Sequence, residues 1–376
     1  MQRNEDHLNF FDTMRGVALI GVFLAHCRGE AYGWDFDPGH ARTLDAMLTF
    51  PLMLGATAVP IFFAISGFCI HLAHRRSTRK DWLTFFTRRF FRIYPPYFVA
   101  LVLECILFRT HLLATGEVVE RGQFFTHLFL IHNGWERTFF GINGSFWSIA
   151  VEVQLYMLYP LVFVMARGLG WTRTLAITGM IELSLRVWAA VCAALHAAPP
   201  PTFIIQSPFA YWFSWTIGAV VAEAFLNGQP LPFRRIPIWL FPVTVVLTST
   251  ADWLQPFFFP LASLATVVVI TRCLNAENAP SARVTWSTRY LRYAGTISYS
   301  MYLLHQPLVY AIADRLHHTR IGGDPLLVLL FTAAFWFPIL FLAGWFYRLL
   351  EEPSIALGKR IIGRYSRPGL NVAVPM

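Results

Sequence analysis

Residues 10–28 read FFDTMRGVALIGVFLAHCR. This is an apolar run of bilayer length, broken only by Asp12, Arg15 and His26 before Arg28 closes it. An α-helix needs about 20 predominantly apolar residues to cross a hydrocarbon layer of about 30 Å. The same pattern recurs at 46–73, 91–108, 144–166, 173–195, 204–226, 236–250, 254–274, 293–313 and 325–349. It predicts an all-α polytopic membrane protein of about ten transmembrane helices. Composition agrees, since the 376 residues are 56% hydrophobic and 14% charged, with mean hydropathy +0.50, against about 25% charged in an ordinary soluble domain. A soluble enzyme is excluded. Phe124 to Ile131 is too short to span and is expected to be re-entrant or interfacial. No repeat or separate soluble region interrupts the pattern, so residues 1–360 form one integral-membrane domain and 361–376 a short basic tail. The N-terminus shows no cleavage site, and the first apolar segment is expected to stay in the mature protein.

The net charge of +9 comes from 30 Lys and Arg against 21 Asp and Glu. In a soluble chain that would suggest nucleic acid, but placing the charges on ten spans gives another reading. Twenty of the 30 fall on one side: Arg3, seven between residues 74 and 92, Arg167, Arg173, Arg234, Arg235, Arg272, Arg283, Arg289, Arg292, Lys359, Arg360, Arg364 and Arg367. Only Arg28, Arg42, Arg109, Arg121, Arg137, Arg315 and Arg320 fall on the other, while Arg15, Arg186 and Arg348 lie within spans. Cytoplasmic loops carry the excess of Lys and Arg, so both termini are expected in the cytoplasm and no nucleic-acid partner is expected. Arginine outnumbers lysine 28 to 2, which suits a GC-rich bacterial coding sequence and a bacterial inner membrane. Cys27, Cys69, Cys105, Cys192 and Cys273 stand singly, without CxxC pairs or Cys/His clusters, so neither a disulfide nor a metal site is expected.

Ionisable side chains inside a bilayer are costly and mark functional sites by default. Arg15 and His26 are eleven residues apart, three helical turns plus about 20°, so they share one face about 16 Å apart along the axis. Asp12 can pair with Arg15 at i−3. Alternatively, the two side chains snorkel to opposite headgroup regions. Ser148, Glu152 and Tyr156 form one polar stripe at i, i+4 and i+8 of the fourth span, with an interhelical packing bond as the plain alternative. Glu152 and His26 fall in the same half of the membrane, where a carboxylate can orient a histidine base. In FTRRFFRIYPPYF, Arg88 and Arg92 make one cationic edge with Arg89 between them, suited to phosphate or, like any such loop, to anionic lipid. Ser66-Gly67 allows close helix approach or lines a cavity. His305, before Gln306-Pro307, reads as a packing or orienting residue, and Glu351-Glu352-Pro353 as structural.

Taken in order, DTMRGVALIGVFLAH, VPIFFAISGF, RRFFRIYPPY, NGSFWSIAVEVQLY, GTISYSMYLLHQP and LEEP resemble the acyltransferase-3 family of integral-membrane acyltransferases. That family O-acylates polysaccharides, lipopolysaccharide, nodulation factors and some antibiotics. The resemblance runs from about residue 9 to 355. It implies that His26 is the catalytic residue, that Arg15, Arg88, Arg89, Arg92 and Ser66 serve the acyl-CoA donor, and that Ser148 and Glu152 assist at the reacting end. Asp12, Tyr156 and His305 would orient the others. Acyl-CoA, with acetyl as the default, is then a donor substrate, and no bound cofactor is implied. The acceptor would be a saccharide, glycolipid or glycosylated metabolite. Many members carry an acidic residue where this chain has Pro60, so a polar contact there is not assumed. The sequence has no esterase-like extension of the kind fused to some members, so any help in handling glycan is expected to come from another protein or to be unnecessary. In the expected reaction Glu152 stabilises the His26 imidazolium and Ser148 donates a hydrogen bond, with an acyl-enzyme on His26 or Ser148 as the variant route. A transporter or flippase of a lipid-linked or acylated sugar is the competing class; the lack of an internal repeat with matched broken spans argues against it. A non-catalytic scaffold accounts poorly for Arg15, His26, Glu152 and Arg88 together.

Overall fold

A computed structural model describes residues 2–34, 43–78, 80–108, 118–239, 241–243, 248, 252–275 and 285–364. Arg42, Arg79, Arg109, Arg283 and Arg367 lie outside the described residues, as do the side chains of Arg3, Arg121 and Arg364. So do positions 365–376 of the expected basic tail and 240, 244–247 and 249–250 of the expected span 236–250.

The chain builds α1 (Gln2–Tyr32), α2 (Ala58–Arg76), α3 (Trp82–Phe108), α4 (Val118–Leu128), α5 (Phe146–Leu169), α6 (Trp171–Ala194) and α7 (Trp212–Leu226). It continues through α8 (Phe258–Asn275), α9 (Trp286–Thr296), α10 (Ser298–His317), α11 (Pro325–Ala334), α12 (Trp336–Phe346) and α13 (Glu352–Arg364). Among the described residues, eight helical segments are long and apolar enough to cross a membrane. They match eight of the ten expected spans, and the fold is all-α and polytopic. A ninth expected span, 293–313, is a helix as expected, α10. Its Ser298, Ser300, His305 and Gln306 make it too polar to count among the eight. Met157, Val164, Phe337, Phe341 and Trp345 are exposed on outward helix faces. Such large apolar side chains suit lipid rather than water.

Local sequence explains three departures from plain spans. The third span begins at Trp82 rather than residue 91, because the Asp81 carboxylate caps α3 by accepting from Thr84 N at 2.7 Å. Arg88, Arg89 and Arg92 therefore lie within a helix, not in a loop before one. Pro95 in α3 cannot donate to the Phe91 carbonyl, and Ser354 Oγ of α13 donates to that carbonyl instead. Before α2 the chain runs as a 3-10 helix, Phe50–Thr57, which lies along α1. Gly55 makes that approach possible, since a Cβ there would lie 1.9 Å from the Gly21 carbonyl oxygen. Gly67 plays the same part between α2 and α7, where a Cβ would lie 2.0 Å from the Trp215 carbonyl oxygen. Small residues let backbones meet where burial of apolar surface from water supplies no drive.

Candidate active site

A cavity of about 1090 Å³ opens at one end of the bundle. It lies between the C-terminal turns of α1, α3 and α10, the loop leading into α5, and the 3-10 segment that Gly55 holds against α1. His26, Glu104, Asn143, Ser145, Tyr302 and Gln306 supply polar groups to its wall, and Trp34 and Trp147 contribute aromatic rings. It is a largely apolar concavity with a few convergent polar groups, the usual form of a ligand site.

His26 is 9% exposed, and its Nδ1 is buried with no hydrogen-bond partner among the described residues. Its ring meets Trp34 edge-on at 4.8 Å between centroids and His305 edge-on at 4.9 Å. His305 is fully buried, and its Nδ1 lies 2.8 Å from the Tyr302 carbonyl oxygen. A carbonyl only accepts, so Nδ1 carries the proton and Nε2 of a neutral ring keeps its lone pair. That Nε2 is also buried and has no partner among the described residues. Two imidazole rings in contact thus each keep an unsatisfied buried nitrogen, an arrangement that calls for explanation.

Arg15 stands toward the other end of α1, with its guanidinium 3.1 Å from Asp12 Oδ1 and 3.5 Å from Cys69 Sγ. The expected Asp12 pair is formed. Glu152 lies within electrostatic reach of Arg15 and of Arg89. Its Oε1 accepts from Tyr156 OH at 2.5 Å, Tyr156 OH and Ser66 Oγ are 3.1 Å apart, and Trp215 Nε1 donates to Ser66 Oγ at 3.3 Å. Glu351 joins this end through Ser300 Oγ, which donates to it at 2.6 Å, and through the charges of Arg92 and Arg15.

The polar stripe on α5 therefore divides. Ser148 shares a 2.7 Å hydrogen bond with Tyr302 OH behind the cavity wall, whereas Glu152 turns to Tyr156 and the arginines. The expected His26–Glu152 pair is not formed. Tyr156, one turn along the same helix, supplies the donor that the carboxylate needs, and His305 is the ionisable group that meets His26. The expected cationic edge of Arg88 and Arg92 divides as well. Both are exposed, Arg88 donates to Ser77 Oγ at 3.3 Å, and Arg89 between them buries its Nε without a partner among the described residues.

Three further buried glutamates, Glu104, Glu182 and Glu223, are legible in the sequence by the same rule as Glu152. Glu104 lies in the cavity wall; Glu182 pairs with Arg186 at 3.6 Å and accepts from Ser214 Oγ at 2.7 Å. Glu223 meets Arg75 at 3.1 Å and His71 Nε2 at 2.8 Å, while His71 Nδ1 and Tyr159 OH are 2.9 Å apart. Each is an ionisable group within an apolar run, the signal that singled out Glu152. Among the described residues no three His, Cys, Asp or Glu side chains gather as metal ligands.

The loop that ends in the cavity wall is pinned by a second histidine pair. His127 and His132 are fully buried and stack face to face, 3.9 Å between centroids and 6° between planes. The Tyr97 hydroxyl donates to the His127 carbonyl at 2.8 Å, and Asn133 Nδ2 donates to the Gln206 carbonyl at 2.8 Å. Burial pushes the His127 ring down to about 4; burial, and then the neighbouring His127 charge, push His132 down to about 2.

Comparison with known proteins gives this arrangement a context. The model of the family described as an acyltransferase domain matches residues 8–348. A Bacillus subtilis protein provisionally named a peptidoglycan O-acetyltransferase is 24% identical over 68% of this chain, which spans 44% of that protein's length. Nodulation protein 10 of Rhizobium leguminosarum is 24% identical, with 83% of this chain and 85% of that one covered. Acyltransferase MdmB of Streptomyces mycarofaciens is 24% identical, with 83% and 80% covered. No solved structure matches the chain.

Proposed function

The chain belongs to the acyltransferase-3 family, and from that premise we propose that it is a membrane-bound O-acyltransferase. It moves an acyl group, acetyl by default, from cytoplasmic acyl-CoA to a hydroxyl of a saccharide or glycoconjugate. The observation that carries this reading is the separation along α1. His26 stands on the wall of a large cavity at one end, and Arg15 stands in a cationic cluster with Arg89 at the other. In this reading the membrane is a bacterial inner membrane, both termini and the Arg15 end face the cytoplasm and the His26 cavity faces the outer side; the excess of Lys and Arg on one side of the ten expected spans supports that orientation.

In this reading Arg15 and the half-buried Arg89 receive the phosphates of acyl-CoA, and the exposed Arg88 and Arg92 attract them. Glu152, Tyr156 and Ser66 hold the guanidinium groups in place. The pantetheine arm is thin enough to carry the thioester toward His26. A small turn of either ring brings His26 Nδ1–H onto the lone pair of His305 Nε2, so His305 takes the orienting part expected of Glu152. Nε2 of His26 then keeps its lone pair toward the cavity. It accepts the proton of the acceptor hydroxyl as that oxygen bonds to the thioester carbonyl carbon. When the C–S bond breaks, the imidazolium returns the proton to the departing thiolate, leaving the ester and free CoA thiol. General-base help of this kind is worth about 10² to 10⁴ in rate. Ser148 fixes the Tyr302 hydroxyl on the cavity wall, a positioning part.

The test is direct. Protein purified in detergent is given acetyl-CoA with a panel of methyl glycosides, and free thiol and acetylated glycoside are measured together. Equal amounts of both products support acyl transfer. A carrier that moves an acylated sugar would release neither.

A further inference from the structure

Within the reading of the cavity as an acyl-acceptor site, we propose that Arg186 is a positioning residue that holds an aromatic subsite, Trp147 and Phe259, on which the apolar face of a saccharide ring stacks. Trp147 and Phe259 are half-buried and line the same cavity as His26. Arg186 stands behind them on α6 and has no part in the transfer chemistry.

The buried residues of α6 are Thr174, Thr178, Glu182, Arg186 and Ala190, a single stripe at every fourth position. Met180, Leu183, Val187, Trp188 and Val191 around it are exposed. Two charges on the one inward stripe of a spanning helix are costly to hold. The Glu182 carboxylate accepts from Ser214 N at 3.0 Å and from Ser214 Oγ at 2.7 Å, which docks α6 on α7. Arg186 does more than balance that carboxylate, since the pair is 3.6 Å apart and the guanidinium reaches past it. It donates to the Ala210 carbonyl and lies over two rings, 4.9 Å from the centroid of Tyr211 and 5.4 Å from that of Phe259. Its Nε is buried with no partner among the described residues, so the group is placed by the rings as much as by hydrogen bonds.

Those two rings carry the contact to the cavity. Tyr211 is fixed at its far end, where its hydroxyl donates to Gln206 Oε1, and its ring meets Phe259 edge-on at 4.9 Å. Trp147 leans on both, 5.8 Å from Tyr211 and 6.0 Å from Phe259 between centroids, and stacks on Phe139 at 5.4 Å. A planar guanidinium can lie flat across such rings, whereas a lysine ammonium is a compact point charge.

The chemistry of this wall names its occupant. An indole held in place offers a flat apolar surface to the C–H face of a sugar ring. Gln306 belongs to the same wall, and its Oε1 accepts from Ser145 Oγ at 2.5 Å, which leaves its amide N–H groups for the hydroxyls of the ring. A flat apolar surface beside amide donors matches a saccharide better than an acyl chain, which has no hydroxyl to bond.

Titration calorimetry of the full chain in detergent, with methyl glucoside, methyl galactoside and methyl N-acetylglucosaminide as probes, reads the subsite without a donor. Wild type is expected to bind at least one of them at millimolar concentration. Trp147→Ala should weaken that binding about tenfold, and Trp147→Phe, which keeps a ring, should recover part of the loss. Arg186→Lys keeps a charge beside Glu182 and loses the flat fork; it should weaken the glycoside about fivefold and leave acetyl-CoA binding unchanged. The double variant Glu182→Gln/Arg186→Met removes both charges and separates positioning from charge balance. If Arg186 only balanced Glu182, the double variant would bind as wild type does. The positioning role predicts that it stays about fivefold weaker. The subsite is overturned if wild type binds none of the glycosides, or if Trp147→Ala binds as wild type does. The role of Arg186 is overturned if Arg186→Lys or the double variant binds as wild type does. A wild-type protein that binds a glycoside and yields no acetylated product with acetyl-CoA would instead bring down the acyl-transfer reading and leave the subsite standing.

Discussion

Lowering the pH from 7.5 to 5 should loosen the loop that closes the cavity. The stacked His127 and His132 are held neutral, with folded values pushed down to about 4 and about 2 from an ordinary 6.5. An opened loop therefore binds protons before the closed one does. The stability contributed by keeping these rings neutral is fully present above about pH 6.5 and is lost as the pH falls toward 4. For His127 alone, the ratio of proton binding in the opened and closed forms at pH 5 amounts to about 2 kcal/mol. His132, depressed further, adds a similar amount. Hydrogen exchange of the amides between residues 122 and 145, corrected for the intrinsic pH dependence, reads this directly. Protection should fall about thirtyfold per histidine between the two pH values, against little change in the core of α1. His127→Phe keeps a flat ring and removes the proton site, and it should recover one of the two thirtyfold factors at pH 5. Equal protection at both pH values in wild type would refute the reasoning, as would a His127→Phe protein with the full wild-type loss.

Three further outcomes follow from the same packing. Arg89→Ala should raise the KM for acetyl-CoA at least tenfold, whereas the exposed Arg88→Ala should change it less than threefold; steady-state kinetics at fixed glycoside reads the contrast. His305→Ala should lower kcat by about 10² with the acetyl-CoA KM unchanged, because a misoriented base loses rate rather than binding. His305→Gln, which keeps a side-chain acceptor near His26, should recover part of the loss and shift the pH profile of kcat. Gly67→Ala should yield little folded monomer by size exclusion in detergent, since its Cβ would lie 2.0 Å from the Trp215 carbonyl oxygen and α2 could not meet α7.

Hydropathy made the fold legible because bilayer thickness fixes helix length, and eight expected spans appear as helices apolar enough to cross. The Asp81 cap was equally present in the sequence, but the residues after it, TFFTRR, looked like a charged loop rather than a helix start. Periodicity correctly put Arg15 and Asp12 within reach of each other, since both belong to one helix. It could not say which neighbouring helix Glu152 faces, and depth alone suggested His26 where packing supplied Tyr156 and the arginines. The same limit hid the meeting of His26 with His305, which comes from the packing of α1 against α10. Glu104 falls under the intramembrane-charge rule as fully as Glu152 does, but the Asn143 that bonds it lies on a loop distant in sequence.

The central claim is that His26 is the base at the reacting end of the cavity. It is tested most directly by comparing wild-type and His26→Ala proteins in proteoliposomes, with acetyl-CoA supplied on one side and a neutral methyl glycoside on the other, and counting the acetylated glycoside by mass spectrometry. The account predicts a fall of about 10² to 10⁴ in the rate of ester formation, with acetyl-CoA binding and thermal stability unchanged. Ester formation by the folded His26→Ala protein at a rate within about threefold of wild type, far short of that fall, would contradict it.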